Sequence, residues 1–343
     1  MPVTMMDIAK DLKVSVVTVS KVLRNQGRIS DATRKRVLRR AKELNYQMNW
    51  VARSQVTRRT YTIGLLLPEF THPFFAEIAR AVAQTVRPHG YHVVISCFEE
   101  DPELEVSEAD SLLARRVDGL IIASSQPPRC LGLFKRIQKQ KVPYVLIDRP
   151  IAGLRASYVG VDNYAIGELA TEHLIARGCC RIAHLRGPEV GIAAERLAGY
   201  RRALVKHGIR LSSQYVESGG HRDDTGYEGM RKLLDLTPFP DGVFCYNDPV
   251  AIGAMRAILE VEFKLPDDIC VVGAGNIHYS DQVAVPLTTV DQGTCTIGVR
   301  AAELLIARIA SKRSVPAATI LIPPQLVERE STRRNPQSLP ERC

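Results

Sequence analysis

The chain has 343 residues, 45% of them hydrophobic and 24% charged, which suits two or three domains with buried cores and excludes a disordered chain. Its apolar runs, such as Val93-Val94-Ile95 and residues 119–123, are strand-length and far below the roughly 18 residues of a membrane-spanning helix. The charge is lopsided: residues 1–60 hold five Lys and nine Arg against three Asp and one Glu, so the first sixth of the chain accounts for the whole excess of +9.

A compact basic module on a near-neutral body is the footprint of a nucleic-acid binder, because neutralised phosphates release counterions. A solvated basic face is the plain alternative. The eight cysteines form no C-x-x-C pair and have no His partner at metal spacing, so no metal and no cofactor is expected. The start of the chain shows no charged region followed by a long apolar stretch, which points to the cytoplasm rather than export.

In chain order, Thr4 with Asp7 reads as a helix N-cap and its acidic third residue, and Ile8, Ala9 and Leu12 give one apolar face. After Lys13-Val14, Ser15 caps a second helix through Leu23, with Val19, Val22 and Leu23 inward. Val16, Val17, Thr18 and Lys21 are left outside. Two short helices joined this way make a helix-turn-helix, whose second helix suits the major groove. Exposed Val16 and Val17 are odd in water but sensible against thymine methyl groups. Ser30 caps a third helix through Leu44, where Val37, Leu38, Ala41 and Leu44 are expected to pack inward.

The run Asp7-Ile8-Ala9, Val14-Ser15-x-x-Thr18-Val19-Ser20-Lys21-Val22-Leu23, Ile29-Ser30-x-x-Thr33-Arg34, Leu44-Asn45-Tyr46 and Ala52-Arg53-Ser54 resembles the DNA-binding headpiece of the lactose-repressor (LacI/GalR) family. The resemblance implies that Val16, Val17 and Lys21 read bases, and that Thr4, Ser15, Thr18, Ser20, Asn25, Thr33 and Tyr46 touch phosphates or position helices. Pure capping is the alternative for Ser15 and Thr18, and packing on the third helix for Val16 and Val17. Ala52 and Arg53 would belong to a minor-groove hinge. Two departures stand out: Lys13 occupies a turn position that is usually Gly, and Gln55 replaces the hinge Leu that wedges into the minor groove, which puts the family's DNA kink in question.

From Tyr61 onward, strand-like runs (63–68, 92–97, 119–123, 142–147, 158–161, 182–185, 242–245, 269–273) alternate with amphipathic helices (74–87, 104–116, 166–177, 197–207, 251–260). Continuously apolar strands imply parallel sheets covered on both faces, in two Rossmann-like lobes. The motifs Tyr158-Val159-Gly160-Val161-Asp162-Asn163, Glu195-Arg196-Leu197-Ala198-Gly199-Tyr200, Phe244-Cys245-x-Asn247-Asp248 and Pro286-Leu287-Thr288-Thr289-Val290-Asp291-Gln292 again resemble the family, whose core is α/β, two-lobed and like type I periplasmic binding proteins. The expected organisation is an all-α headpiece over 1–45, a hinge over 46–60, a core over 61–331 and a tail over 332–343. The first lobe would take 61–161 and 292–319, the second 162–291 and 320–331.

By the same resemblance, a small effector would bind between the lobes. Phe74 and Phe75 would line the first-lobe side, and Asp148, Arg196, His221, Asn247 and Gly275 would supply polar contacts. The alternatives are an Arg196 ion pair with Glu195, an Asp148 pair with Arg149, a strand-end turn at Asn247 and an ordinary loop role for His221. Relatives commonly place an aromatic residue and two carboxylates where this chain has Ala274-Gly275-Asn276; with that acid missing, and Arg196 and Arg149 nearby, an anionic, sugar-derived effector is expected over a neutral pentose or hexose. No catalytic motif is present, and Gly273-x-Gly275 lacks the third Gly of a dinucleotide fingerprint. The resemblance therefore implies a repressor, bound as a homodimer to double-stranded operator DNA in the nucleoid and controlled by a small sugar-like effector. An effector-independent or protein-controlled regulator is the rival. No coiled-coil tail is expected after residue 330.

Overall fold

The computed structural model describes residues 3–23, 27–46, 54, 57, 59–188, 191–311 and 315–334. Two units divide at residue 60. In the first, helices α1 (Met5–Leu12), α2 (Val16–Leu23) and α3 (Asp31–Glu43) follow the expected boundaries. A reciprocal capping box starts α1: Thr4 Oγ1 accepts the Asp7 N–H and the Asp7 carboxylate accepts the Thr4 N–H, satisfying donors a bare helix end leaves unpaired. Lys13 ends α1 in the left-handed region at φ 53°, so the turn keeps its shape despite a side chain. Ile8, Ala9, Val19, Val22, Val37 and Ala41 form the core. Leu38 does not join it; it is 48% exposed. The buried stripe of α3 runs Val37, Ala41, Leu44, and Leu38 lies one residue, about 100°, around the helix from it.

The second unit contains two six-stranded sheets. Strands β1 (Thr62–Leu67), β2 (His92–Cys97), β3 (Gly119–Ile122), β4 (Tyr144–Ile147), β5 (Ser157–Val161) and a late strand, β11 (Thr319–Ile322), form the first sheet in the order β11-β5-β4-β3-β1-β2, all parallel. Strands β6 (Ile182–Arg186), β7 (Val216–Ser218), β8 (Gly242–Cys245), β9 (Cys270–Gly275), β10 (Thr288–Asp291) and β12 (Gln325–Val327) form the second, in the order β12-β10-β9-β8-β6-β7, with β12 antiparallel to β10. Helices cover both faces of each sheet, giving four apolar cores.

The chain crosses between the lobes three times: after β5, after β10, and between β11 and β12. The last crossing falls later than expected, because residues 320–322 pair with Val159–Val161 of the first lobe. Helix α7 (Asn163–Ala176) and α8 (Gly191–Lys206) touch at Gly167 and Gly199. A Cβ on Gly167 would sit 2.0 Å from the Arg196 carbonyl oxygen, and one on Gly199 would sit 2.1 Å from that of Tyr164. This close approach sets the position of Arg196.

Candidate functional site

In the first unit, the Ser15 hydroxyl accepts the Thr18 N–H at 3.0 Å and contacts the Thr18 hydroxyl at 2.8 Å, so both residues do cap α2. Val16 and Val17 are 38% and 62% exposed, which rules out burial against α3 and leaves them with Lys21 on the open face of α2. Ser20 is half-buried, and at the Ser30 cap the Thr33 N–H donates to the Ser30 hydroxyl while Thr33 Oγ1 accepts from it. Tyr46 packs on the three-helix core. The basic residues divide by role. Arg40 pairs with Asp11 and Glu43, and Arg36 reaches the Leu12 carbonyl, so these two bind α3 to itself and to α1. Asn25, Ala52, Arg53 and Gln55 lie outside the described residues.

In the second unit, a crevice of about 490 Å³, its open mouth included, is lined by Glu69, His72, Phe74, Phe75, Glu100 and Asp148, and further by Arg149, Arg196, His221, Tyr246, Asn247 and Gln292. It lies beyond the carboxyl ends of β1, β4, β8 and β10, where open α/β sheets place ligands. Several lining residues also start helices. The His72 ring sits at the head of α4 (Pro73–Val86), with the Phe74 N–H pointing at Nδ1 from 3.3 Å. Asn247 Oδ1 accepts the Val250 N–H at the head of α10 (Asp248–Glu260).

Arg196, 3% exposed, is the hub. Its Nε donates to Asn163 Oδ1 at 3.0 Å, one Nη to Gln292 Oε1 at 3.0 Å and the other to the Tyr246 carbonyl, while the guanidinium lies 4.8 Å from the Tyr246 ring centroid. Its hydrogen bonds thus go to three crevice-side elements rather than to Glu195. Burial disfavours its charged form and lowers its pKa.

Asp148 is buried with φ 62°, a strained value for a residue with a side chain. The Tyr158 hydroxyl, which donates to the Asp148 carbonyl at 2.9 Å, helps hold it there. Burial pushes the Asp148 carboxyl above its ordinary range against the charges of Arg149 and Arg196, and its ion-pair partner, Arg149 at 3.3 Å, is already engaged by both oxygens of Glu100 at 2.6 Å. Burial also pulls Glu100 upward, but the hydrogen bonds and charge of Arg149 outweigh it and leave that carboxyl low. His221 lines the crevice with its Nε2 3.4 Å from Glu69.

Six of the seven expected effector contacts therefore meet in one crevice. Gly275 does not line it. With φ 143°, it lies beside the buried Asp248 carboxylate, which accepts from the Ile277 N–H, Ser280 and Thr289. Asn276 is likewise turned to Asp291 and Arg329. The expected shift toward an anionic effector loses its basis, because Glu69, Glu100 and Asp148 oppose Arg149 and Arg196 among the lining groups. Sequence reasoning missed Glu69, His72, Glu100 and Tyr246 as lining residues. The available signal was position, each lying within a few residues of a strand's carboxyl end. Among the described residues, no His/Cys/Asp/Glu cluster has metal-holding geometry, and no helix is long and apolar enough to cross a membrane.

Comparison with known proteins agrees with this architecture. Residues 4–49 match the model for bacterial regulatory proteins of the lacI family, and residues 171–332 match that of a periplasmic binding protein-like domain. The chain is 37% identical over 331 residues to the ribose operon repressor of Halalkalibacterium halodurans, covering 96% of this chain and 97% of that one. It is 34% identical over 333 residues to the HTH-type transcriptional repressor PurR of Mannheimia succiniciproducens, covering 96% and 99%. Among solved structures, the lac repressor dimer bound to operator and the anti-inducer ONPF aligns with a TM-score of 0.82 at 28% identity, covering 97% of this chain and 99% of that one. A complex of the transcriptional regulator CelR with cellobiose aligns at 0.73 and 31% identity, covering 96% and 99%.

Proposed function

The chain belongs to the lacI family of bacterial regulatory proteins, and from that premise we propose that it is a cytoplasmic repressor whose core closes on a neutral, polyhydroxylated small molecule. The observation that carries the effector class is the trio around the crevice: a buried Asp148 carboxylate short of donors, the buried Arg196 guanidinium with two of its five N–H groups left for a ligand, and the adjoining Phe74 and Phe75 rings. Hydroxyls both donate and accept, so a polyol satisfies the carboxylate and the guanidinium together, while the rings pack on its C–H face. A phosphorylated sugar would bring its charge to a crevice with more carboxylates than guanidiniums. The ribose operon of one relative and the cellobiose bound by another fit a pentose or a disaccharide.

On DNA the protein would act as a homodimer on a palindromic site in the nucleoid, since one three-helix headpiece covers too little duplex for useful specificity and two half-sites multiply it. Effector closure would alter the spacing of the two headpieces through residues 46–60. Nothing in this mechanism requires catalysis. Calorimetry of the full chain against D-ribose, a nucleoside, cellobiose and ribose 5-phosphate tests the effector class. Binding of a neutral compound with much weaker binding of the phosphate is expected. Preference for the phosphate would overturn the class, and silence toward all four would favour a regulator controlled by a protein partner.

A further inference from the structure

We propose that His72 is a proton-sensitive latch between the lobes: the crevice closes on the neutral imidazole, and acid opens it. This deepens the reading of the crevice as a closing site, and its test needs no effector, so the two can fail separately. His72 belongs to the first lobe. Across the crevice, its Nε2 lies 3.1 Å from Nδ2 of Asn247 in the second. The orientation of that amide is settled by its other contacts: Oδ1 accepts the Val250 N–H at 2.9 Å, and Nδ2 also donates to the His221 carbonyl at 2.9 Å. On the other side of the ring, the Phe74 N–H points at Nδ1 from 3.3 Å. Both neighbours are therefore donors. A neutral imidazole has one acceptor nitrogen and a protonated one has none; with its proton on Nδ1, the neutral ring accepts the Asn247 amide at Nε2, the shorter of the two contacts, so a second proton sets donor against donor across the lobe boundary.

The surroundings act in the same direction. Burial lowers the His72 pKa to about 4; Glu69 works against this, while His221, Arg196 and Arg149 add to it. Opening the crevice carries Asn247, His221 and Arg196 away with the second lobe and gives Nε2 to water, so the imidazole recovers its ordinary affinity for a proton. The sign follows from linkage: the open form binds the proton more tightly, so lowering the pH favours it. From pH 8.0 to 5.5, an imidazole moving between a value near 4 and an ordinary one near 6.5 raises the open-to-closed ratio by about tenfold.

Two other lobe-crossing contacts oppose this. Glu69 faces His221 at 3.4 Å and Glu77 faces His278 at 3.7 Å, each a first-lobe carboxylate against a second-lobe imidazole. Both pairs strengthen in acid. Their imidazoles are exposed, that of His278 by 71% and that of His221 by 38%, and such pairs are individually weak, so the half-buried His72 contact decides the direction.

Amide hydrogen exchange of the full-length protein, corrected for intrinsic rates, reads the balance. In the segments around residues 69–75 and 219–223, exchange should be several-fold faster at pH 5.5 than at pH 8.0. His72→Gln keeps an acceptor but cannot titrate, so its crevice should instead become slightly more protected in acid, from the two ion pairs alone. In His221→Gln/His278→Gln, the acid opening should grow toward tenfold. Equal or greater protection of the wild type at pH 5.5, or acid opening that survives in His72→Gln, would overturn the proposal. Deuterium exchange at the imidazole C2 carbon provides a check on the unmutated protein: His72 should titrate below the ordinary imidazole range, and a half-point within that range would also overturn it.

Discussion

Replacing Arg196 with Ala tests whether the guanidinium supports the second lobe as well as the effector. The substitution removes three hydrogen bonds and leaves Asn163 Oδ1, the Tyr246 carbonyl and Gln292 Oε1 without their donor in a site where Arg196 itself is only 3% exposed. Each stranded buried acceptor costs about 1–3 kcal/mol. Against this, the protein no longer has to bury a charge, a burden visible in the lowered pKa of the guanidinium. The net loss should be about 3 kcal/mol, in line with breaking other buried charged networks. At roughly 2–4 °C per kcal/mol for a unit of this size, the core should melt about 6–12 °C lower by calorimetry. Arg196→Lys, with a point charge that cannot reach three acceptors in a plane, should fall between. Below the melt, both variants should bind DNA without effector as the wild type does and lose the effector response. A melting shift under about 3 °C together with loss of effector response would show that Arg196 serves the ligand alone and would refute the bracing argument.

Lys21→Ala should relax base preference in each half-site by roughly 1–3 kcal/mol, measured by competition between selected and scrambled duplexes; a uniform loss across sequences would instead make Lys21 a phosphate contact. Gly167→Ala forces a methyl into the Arg196 carbonyl oxygen and should destabilise the core by about 1–3 kcal/mol through overpacking, read in urea unfolding. Asp148→Asn should weaken effector binding about tenfold or more while raising the melting temperature at pH 7, because the buried carboxyl's raised pKa means that the folded state disfavours its charged form. A lower melting temperature for Asp148→Asn would show that its ion pair with Arg149 outweighs burial.

The headpiece was legible because its signals are local. Thr4, Asp7, Ser15 and Ser30 cap helices within three residues of themselves, and short helices over one small core leave little ambiguity of face. Leu38 was misread because an apolar side chain one position from the stripe looks inward on composition alone. Eight strands could be read as apolar runs, whereas β7, β10, β11 and β12 escaped notice: β7, β11 and β12 are short, partly exposed edge strands, and β10 is four residues long with two threonines in place of an apolar run.

The crevice was only partly legible. Arg196 and Asn247 stood in recognisable motifs, but His72 and Glu100 come from loops whose function depends on where distant strands end. Charge balance at the crevice is a property of that assembly: Arg149 looks available in the sequence and is committed to Glu100 and Asp148 in the fold. The same assembly turned Gly275 from a supposed contact into space beside the Asp248 carboxylate.

The central claim, that this is an effector-controlled DNA-binding repressor, is tested most directly by selecting duplexes from a random library with the full-length protein and titrating the enriched sequence by fluorescence anisotropy, with and without the neutral compound that calorimetry identifies. The account predicts enrichment of a palindrome, an affinity that falls steeply with salt, a change of at least about tenfold on adding the effector, and no binding by residues 61–343 alone. Enrichment of no sequence, or equal binding by the truncated core, would contradict it.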